Sequence, residues 1–295
     1  MYINNNSMAS NVANNLTSHY SDLKTSTQRL STGLRVNSAA DDAAGLAIRE
    51  LMRTDIKALQ QGVRNANDAI SLIQTADGAL GVIDEKLTRM KELAEQASTG
   101  TYDSTQRLMI ESEYQAMASE ITRIANATDF NGIHLLDGNL SGDSHVGNTM
   151  TSTGKMKIHF GTANDSAEDY YYIQIGTSTA SALGVGNETT AGRDGATIST
   201  QEAAQKALVA ITNAVVSKDK IRAHLGALQN RLENTVSNLT TQAENLQAAE
   251  SRISDVDVAT EMTKFVRNQI LTQSSVAMLS QANSMPKMAM QLIGG

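Results

Sequence analysis

The chain has no cysteine and no tryptophan, a single proline and three phenylalanines in 295 residues. Without cysteine there can be no disulfide, thiolate metal site or cysteine nucleophile, and oxidising surroundings do no harm. One proline leaves room for long uninterrupted helices. Aromatic residues make up 3%. Apolar content therefore comes from Ala, Leu, Ile, Val and Met, which suit interdigitating helices better than a thick core. No basic run accompanies the net charge of −7, so nucleic acid is not an expected partner. No apolar run reaches membrane-spanning length, and membrane insertion is not expected. The opening MYINNNSMASNVANNL has neither a charged leader nor an apolar block, so no cleaved secretory signal is expected. These absences place the protein in the cytosol unless export uses a signal within the mature sequence.

Catalytic signals are missing too. The five histidines, His19, His134, His145, His159 and His224, never fall at metal-ligand spacing, and no HExxH occurs. Asp41 and Asp42 precede a new apolar pattern, where carboxylates cap a helix. No partner acid, histidine or motif joins them in a reaction. The sequence predicts no enzyme, no metal and no cofactor.

What is present is periodicity. From Met52 to Ala97 every seventh position is apolar: Met52, Leu59, Ala66, Ile73, Leu80, Leu87, Ala94. A second track, Ile56, Val63 and Ile70, is interrupted by Asp77 and resumes at Ile83, Met90 and Ala97. Such a helix would be about 70 Å long at ~1.5 Å per residue, so other long helices must cover its stripe. A matching rod begins at Thr200, with Ala204, Ile211, Leu225, Leu232, Leu239, Leu246 and Ile253 on one track broken only by Lys218. Leu59, Ile73, Leu80, Leu87, Leu225, Leu232, Leu239 and Leu246 are the expected bundle core.

Both ends carry thinner seams. Ala9, Leu16, Leu23 and Leu30 recur at seven, with Val12, Tyr20 and Leu34 beside them. The intervening Asn, Ser and Thr are poor helix formers, and ordering costs ~1–2 kcal/mol per residue. The segment is expected to be disordered alone and helical against a partner. At the other end Leu271, Ser275, Met278, Ala282, Met285, Ala289 and Leu292 alternate by four and three. Leu16, Leu23, Leu30, Leu271, Met278, Met285 and Leu292 are the candidate assembly seam, Met lending adaptability. A membrane-surface helix is the weaker alternative, since only Lys264, Arg267 and Lys287 supply positive charge. Pro286 should kink the last turns.

Between the rods, Asp103 and Gln106 are spaced as a capping box. They open a shorter helix with Ile110, Tyr114, Met117, Ile121 and Ile124 on one face, ending at TDFNG (128–132). From 133 to 200 helical periodicity gives way to Gly, Ser, Thr and Asn, and Lys155–Phe160 and Tyr170–Ile175 read as a β-hairpin. The fold expected is mainly α: an elongated coiled-coil bundle of paired N- and C-terminal segments with a small β element in the middle. Residues 1–40 and 256–295 would form an inner terminal-helix domain. Residues 41–255 would form an outer bundle that includes the β-rich segment at 133–200. The middle is too short for large extra surface domains.

Three stretches carry a family resemblance. TQRLSTGLRVNSAADDAAGLAI (27–48), TDFNG and NRLENTVSNLTTQAENLQAAESRISDVDVATEM (230–262) closely resemble the signature blocks of bacterial flagellins. LGALQNR (225–231) departs conservatively from the family's usual form, as does the ending MQLIGG. The resemblance spans roughly residues 3–132 and 200–295. It implies a subunit that assembles in many copies into the helical filament that propels swimming. Terminal helices would line a channel and the bundle would form the wall. It also implies export through the flagellar type III apparatus without a cleaved signal, to an extracellular filament. Implied partners are further copies, an export chaperone, hook-associated junction and cap proteins, and a Toll-like innate receptor contacted through Arg89, Leu93 and Glu113. Ser178, Thr179 and Ser181 become candidate O-glycan acceptors. A hook-filament junction protein and a chemoreceptor signalling rod are the alternatives. The first would match the signature blocks less faithfully, and the second lacks a β insert and terminal seams.

Overall fold

The computed structural model describes residues 6–145, 154–166, 168–186 and 195–293. Helix α1 (Ser7–Thr32) ends at Gly33, whose left-handed φ of 72° lets its N–H close on Arg29 O at 2.9 Å. Asp42 accepts from the Gly45 N–H at 2.9 Å and so caps α2 (Ala43–Ser98). Helix α3 (Ser104–Ala127) begins with Gln106 Oε1 accepting from the Asp103 N–H at 3.0 Å. Its exit is a two-residue ribbon, β1 (Asp129–Phe130) with β2 (Ile133–His134). Asn131 (φ 52°) and Gly132 (φ 79°) make the turn between them, the backbone that Asn-Gly favours. The hairpin β3 (Met156–His159) and β4 (Tyr170–Ile173) is antiparallel, with Lys157 opposite Tyr172. A single turn, α4 (Ala180–Leu183), precedes α5 (Gln201–Ser254) and α6 (Val258–Ile293). Helix α6 runs on through Pro286.

Contacts divide the chain between Ile56 and Lys57 and between Ala243 and Glu244. The seams alone place the divisions nearer the ends, at 40/41 and 255/256. The first turns of α2 join the terminal unit because buried Arg49 donates to Val36 O at 2.8 Å.

Within the unit spanning 57–243, Leu59, Ile73, Leu80, Leu87, Leu225, Leu232 and Leu239 are buried and Leu246, in the other unit, is half-buried. The buried face of α2 is wider than two tracks, since Ala69, Leu72, Ala76 and Leu93 also lie inside. Helix α3 and the central segment cover it along with α5. The Asp77 and Lys218 interruptions are polar contacts between the rods. Lys218, 1% exposed, pairs with Asp84 and, at 2.8 Å, with Asp219. Arg222 reaches Asp77 at 2.7 Å. These contacts run antiparallel and fix the register that apolar tracks alone leave open.

The central segment is part of this core. Leu135, Leu136, Leu140, Ile173, Ile175, Leu183, Val185 and Ile198 are buried in the same cluster as the helices. Gly62 lets the hairpin approach α2, because a Cβ there would collide with Phe160 O, and Asn65 donates to His159 O at 2.8 Å. The span 139–149, which has no helical period in the sequence, is therefore tied to the core at Leu140. Leu140 is 1% exposed and its carbonyl accepts from the Ile175 N–H. Of that span, 146–149 lie outside the described residues. Leu140→Ala is expected to lower unfolding free energy by about 2–5 kcal/mol, the cost of a truncated core leucine. Chemical denaturation measures it, and a loss under about 1 kcal/mol would contradict the placement. Ser178 is likewise buried, with its hydroxyl on Gly176 O, which removes it as a glycan acceptor. Ser181 is exposed and Thr179 half-exposed.

Candidate assembly interface

The terminal unit pairs α1 with α6, running antiparallel. Asn6 donates to Ala282 O at 2.9 Å at one end, and the Ser26 hydroxyl donates to Glu261 at 2.7 Å at the other. On α1, Ala9, Val12, Leu16, His19, Leu23, Ser26 and Leu30 form the less exposed face, spaced alternately by three and four. Tyr20 points away, 53% exposed. His19 and Ser26 occupy the second track instead.

On α6 the covered face is Glu261, Phe265, Asn268, Thr272, Ser275, Leu279 and Ala282. This line is half polar, and of it only Glu261, Thr272 and Ala282 are buried. Burial works to raise the Glu261 carboxyl. The Ser26 hydroxyl, Lys264 at 3.3 Å and the field of Arg29 outweigh that and hold it below the usual glutamate range. Glu261 is therefore ionised at neutral pH, and it selects which side of α6 meets α1.

The candidate seam residues divide accordingly. Leu16, Leu23 and Leu30 sit half-buried in the α1–α6 pair, and Met285, beyond the start of α1, is half-buried. Leu271 (38% exposed) and Met278 (59%) do not face α1, which corrects a simple meeting of two apolar stripes. The side chain of Leu292 lies outside the described residues. Val258, Met262, Val266, Ile270 and Val276 are exposed as well. A helix with apolar residues on every side is one that must be enclosed on every side, and α1 covers only one. Apolar counting from Leu271 finds one of two interleaved stripes. The signal for the other was the four-residue row from Val258 to Ile270.

Behind Gly33 the two interhelix links are clasped. The Arg35 N–H meets Ser254 O at 2.6 Å and the Val256 N–H meets Gly33 O at 3.0 Å. Asp41 accepts from the Ser38 and Asn37 N–H groups at 2.9 and 3.1 Å. These bonds, the Ser38 N–H foremost, hold its carboxyl below the ordinary aspartate range. The acidic pair is thus spent on backbone.

On the bundle, Arg89 joins Glu113 across α2 and α3 at 2.9 Å and Glu92 at 2.8 Å, all three exposed. These bonds, with Glu92 foremost, raise the Arg89 pKa further. Leu93, expected to share this surface patch with Arg89 and Glu113, is instead a core residue, 1% exposed. Among the described residues no group of His and acidic side chains could hold a metal, and no helix is long and apolar enough to cross a membrane.

A profile of the bacterial flagellin N-terminal helical region matches residues 3–141, and one of the C-terminal helical region matches 208–293. The chain is 41% identical over 309 aligned residues to the flagellin of Bacillus subtilis, covering 99% of this chain and 100% of that one. It is 40% identical to the flagellar filament core protein flaB2 of Brachyspira hyodysenteriae, again over 99% and 100%. A solved structure of a putative flagellar hook-associated protein from Vibrio parahaemolyticus shares the fold, with TM-score 0.55 and 12% identity over 73% of this chain and 100% of that one.

Proposed function

Because the chain belongs to the bacterial flagellin family, we propose that the exposed apolar side of α6 is the surface through which its copies join. The protein is a structural subunit of the extracellular flagellar filament, not an enzyme. Val258, Met262, Val266, Ile270, Leu271 and Met278 stand in solvent on one helix; that observation carries the reading. Burying one such side chain between copies returns ~1.5–3 kcal/mol, and the gain recurs at every subunit. The test is salt-induced growth of the purified protein, watched by electron microscopy. Micrometre filaments support the reading, and persistence as monomer at high concentration refutes it. A junction protein or a chemoreceptor rod is not favoured, since both terminal regions match flagellin.

Export through the flagellar type III apparatus without a cleaved signal, a chaperone guarding the C-terminal helix, and junction and cap proteins at the filament ends belong to the same proposal. What supports the chaperone is again α6, whose apolar row would be open to aggregation before assembly. For the Toll-like receptor the support is the exposed Arg89–Glu113 pair, with Leu93 beneath it as a core prop and not a contact. Replacing Arg89 and Glu113 together by Ala is expected to reduce receptor activation by monomer at least tenfold, read in a reporter cell assay, with the bundle still folded. Unchanged activation would dispose of the receptor patch.

A further inference from the structure

The distribution of sulfur points to a chemical site on the terminal unit: we infer that the thioethers of Met262, Met278 and Met288 are a reversible oxidation site, through which a peroxide turns the free subunit into one that cannot join others. This rests on the filament reading above and adds a regulation to the same surface.

The chain has 13 methionines and no cysteine, so no thiolate competes with the thioethers for a two-electron oxidant. Among the described residues five methionines are exposed: Met8 (57%), Met109 (69%), Met262 (43%), Met278 (59%) and Met288 (48%). Three of these belong to α6, and Met8 belongs to its partner α1. The unit spanning 57–243 is built the other way. There Met90 is 0% exposed, Met117 and Met156 pack half-buried against the core, and Met109 alone among the described methionines stands in solvent. An oxidant in water therefore reaches the sulfurs of the terminal unit and spares those that hold the bundle.

The company these sulfurs keep decides what oxidation does. Met262 lies in the exposed row with Val258, Val266 and Ile270, and Met278 follows Leu271 at seven positions. Such neighbours offer no side-chain donor. Oxidation converts a flexible apolar side chain into a polar, chiral sulfoxide, and a sulfoxide oxygen covered by apolar groups is a buried acceptor without a partner. The side of α6 that meets α1, from Glu261 through Phe265, Thr272 and Leu279 to Ala282, contains no methionine. The pair within one subunit is thus untouched while the surface offered to the next becomes polar.

The step balances with one equivalent of hydrogen peroxide. A lone pair on the Met Sδ attacks one peroxide oxygen, the S–O bond forms as the O–O bond breaks, and the departing hydroxide takes the remaining peroxide proton and leaves as water. Sulfur loses two electrons and the peroxide gains them. A methionine sulfoxide reductase supplied with a dithiol runs the change backwards, the oxygen leaving as water and the dithiol becoming a disulfide.

The test treats purified monomer with hydrogen peroxide, removes the excess with catalase, maps added oxygen by peptide mass and reads the critical concentration by sedimentation. Met262, Met278 and Met288 are expected to gain oxygen before Met90 does, with circular dichroism and bundle melting unchanged. The critical concentration should rise at least about tenfold, and methionine sulfoxide reductases with dithiothreitol should return it to within about twofold of the starting value. A combined Met262→Leu, Met278→Leu and Met288→Leu variant, close in volume but without sulfur, is compared with its own untreated sample and should shift by less than about twofold, although Met8 and Met109 still oxidise. Filaments grown alongside from untreated protein keep this test separate from that of the filament reading. If they form and the oxidised protein polymerises at the same critical concentration, if the reductase restores nothing, or if the leucine variant is inhibited as strongly as the unmodified chain, the inference is overturned.

Discussion

Met278→Lys should leave the monomer folded and abolish filaments. Met278 is exposed in the single chain, so a lysine there keeps its ammonium in water and breaks no contact with α1. Circular dichroism and thermal unfolding of the monomer should match the unmodified protein. In the filament the same position is proposed to be covered by a neighbour. Assembly then forfeits the ~1.5–3 kcal/mol of apolar burial and must in addition desolvate an unpaired charge, at several kcal/mol. Since 1.4 kcal/mol is a factor of ten, the critical concentration should rise by at least about 100-fold. Sedimentation at graded concentrations reads it directly. A variant that polymerises at the wild-type critical concentration would remove the outer side of α6 from the interface. Leu271 and Ile270 could not then be retained as seam residues by analogy. Loss of monomer helicity would instead mean that α6 is held on the side where Met278 projects.

The second large effect is expected at Lys218. Its ammonium is drawn from a buried stem to the carboxylates of Asp84 and Asp219, which are 41% and 59% exposed. Removing the lysine and removing its partners should therefore have opposite consequences. Lys218→Met keeps the apolar stem, fills the same space and leaves two carboxylates that already have water. Stability should change by less than about 1 kcal/mol, and an increase would be consistent with how buried ion pairs behave. Changing Asp84 and Asp219 together to Ala leaves a charged group in the core with nothing to pair with, and should cost roughly 3–5 kcal/mol. At ~2–4 °C per kcal/mol for a unit of this size, the melting temperature should fall by about 6–20 °C. Calorimetry of the three proteins decides it. A methionine variant less stable than the double alanine variant would mean that the ion pair, and not the packing of α2 on α5, holds the bundle together.

The sequence determined by itself every feature that depends on neighbours along the chain. The seven-residue tracks locate α2 and α5, Gly33 and Asp42 mark the ends of α1 and α2, Asn131-Gly132 makes the turn of the small ribbon, and the alternating apolar residues around Met156 and Tyr171 give the hairpin. Each is local, because helix and strand periods and turn backbone are set within a few residues. The signature blocks lie in these same regions, which is why the family could be recognised before any contact was known.

Tertiary structure decided which of several equivalent faces is used. Helix α6 has apolar residues on all sides, so no count of hydrophobic spacing selects the side that meets α1. A single hydrogen bond between Ser26 and a buried Glu261 does so, and Leu271 and Met278 are turned outward. Asp77 and Lys218 read as flaws in their tracks until Arg222 and Asp84 are seen opposite them. An interruption and a cross-link are the same residue viewed without and with its partner. Leu93 falls between the two tracks of α2 and becomes core only because α3 and the central segment widen the covered face. Leu140 and Ser178, in a stretch without period, could not be assigned inside or outside from sequence. Burial there depends on chain segments far apart in number closing over one another, and no local pattern encodes that.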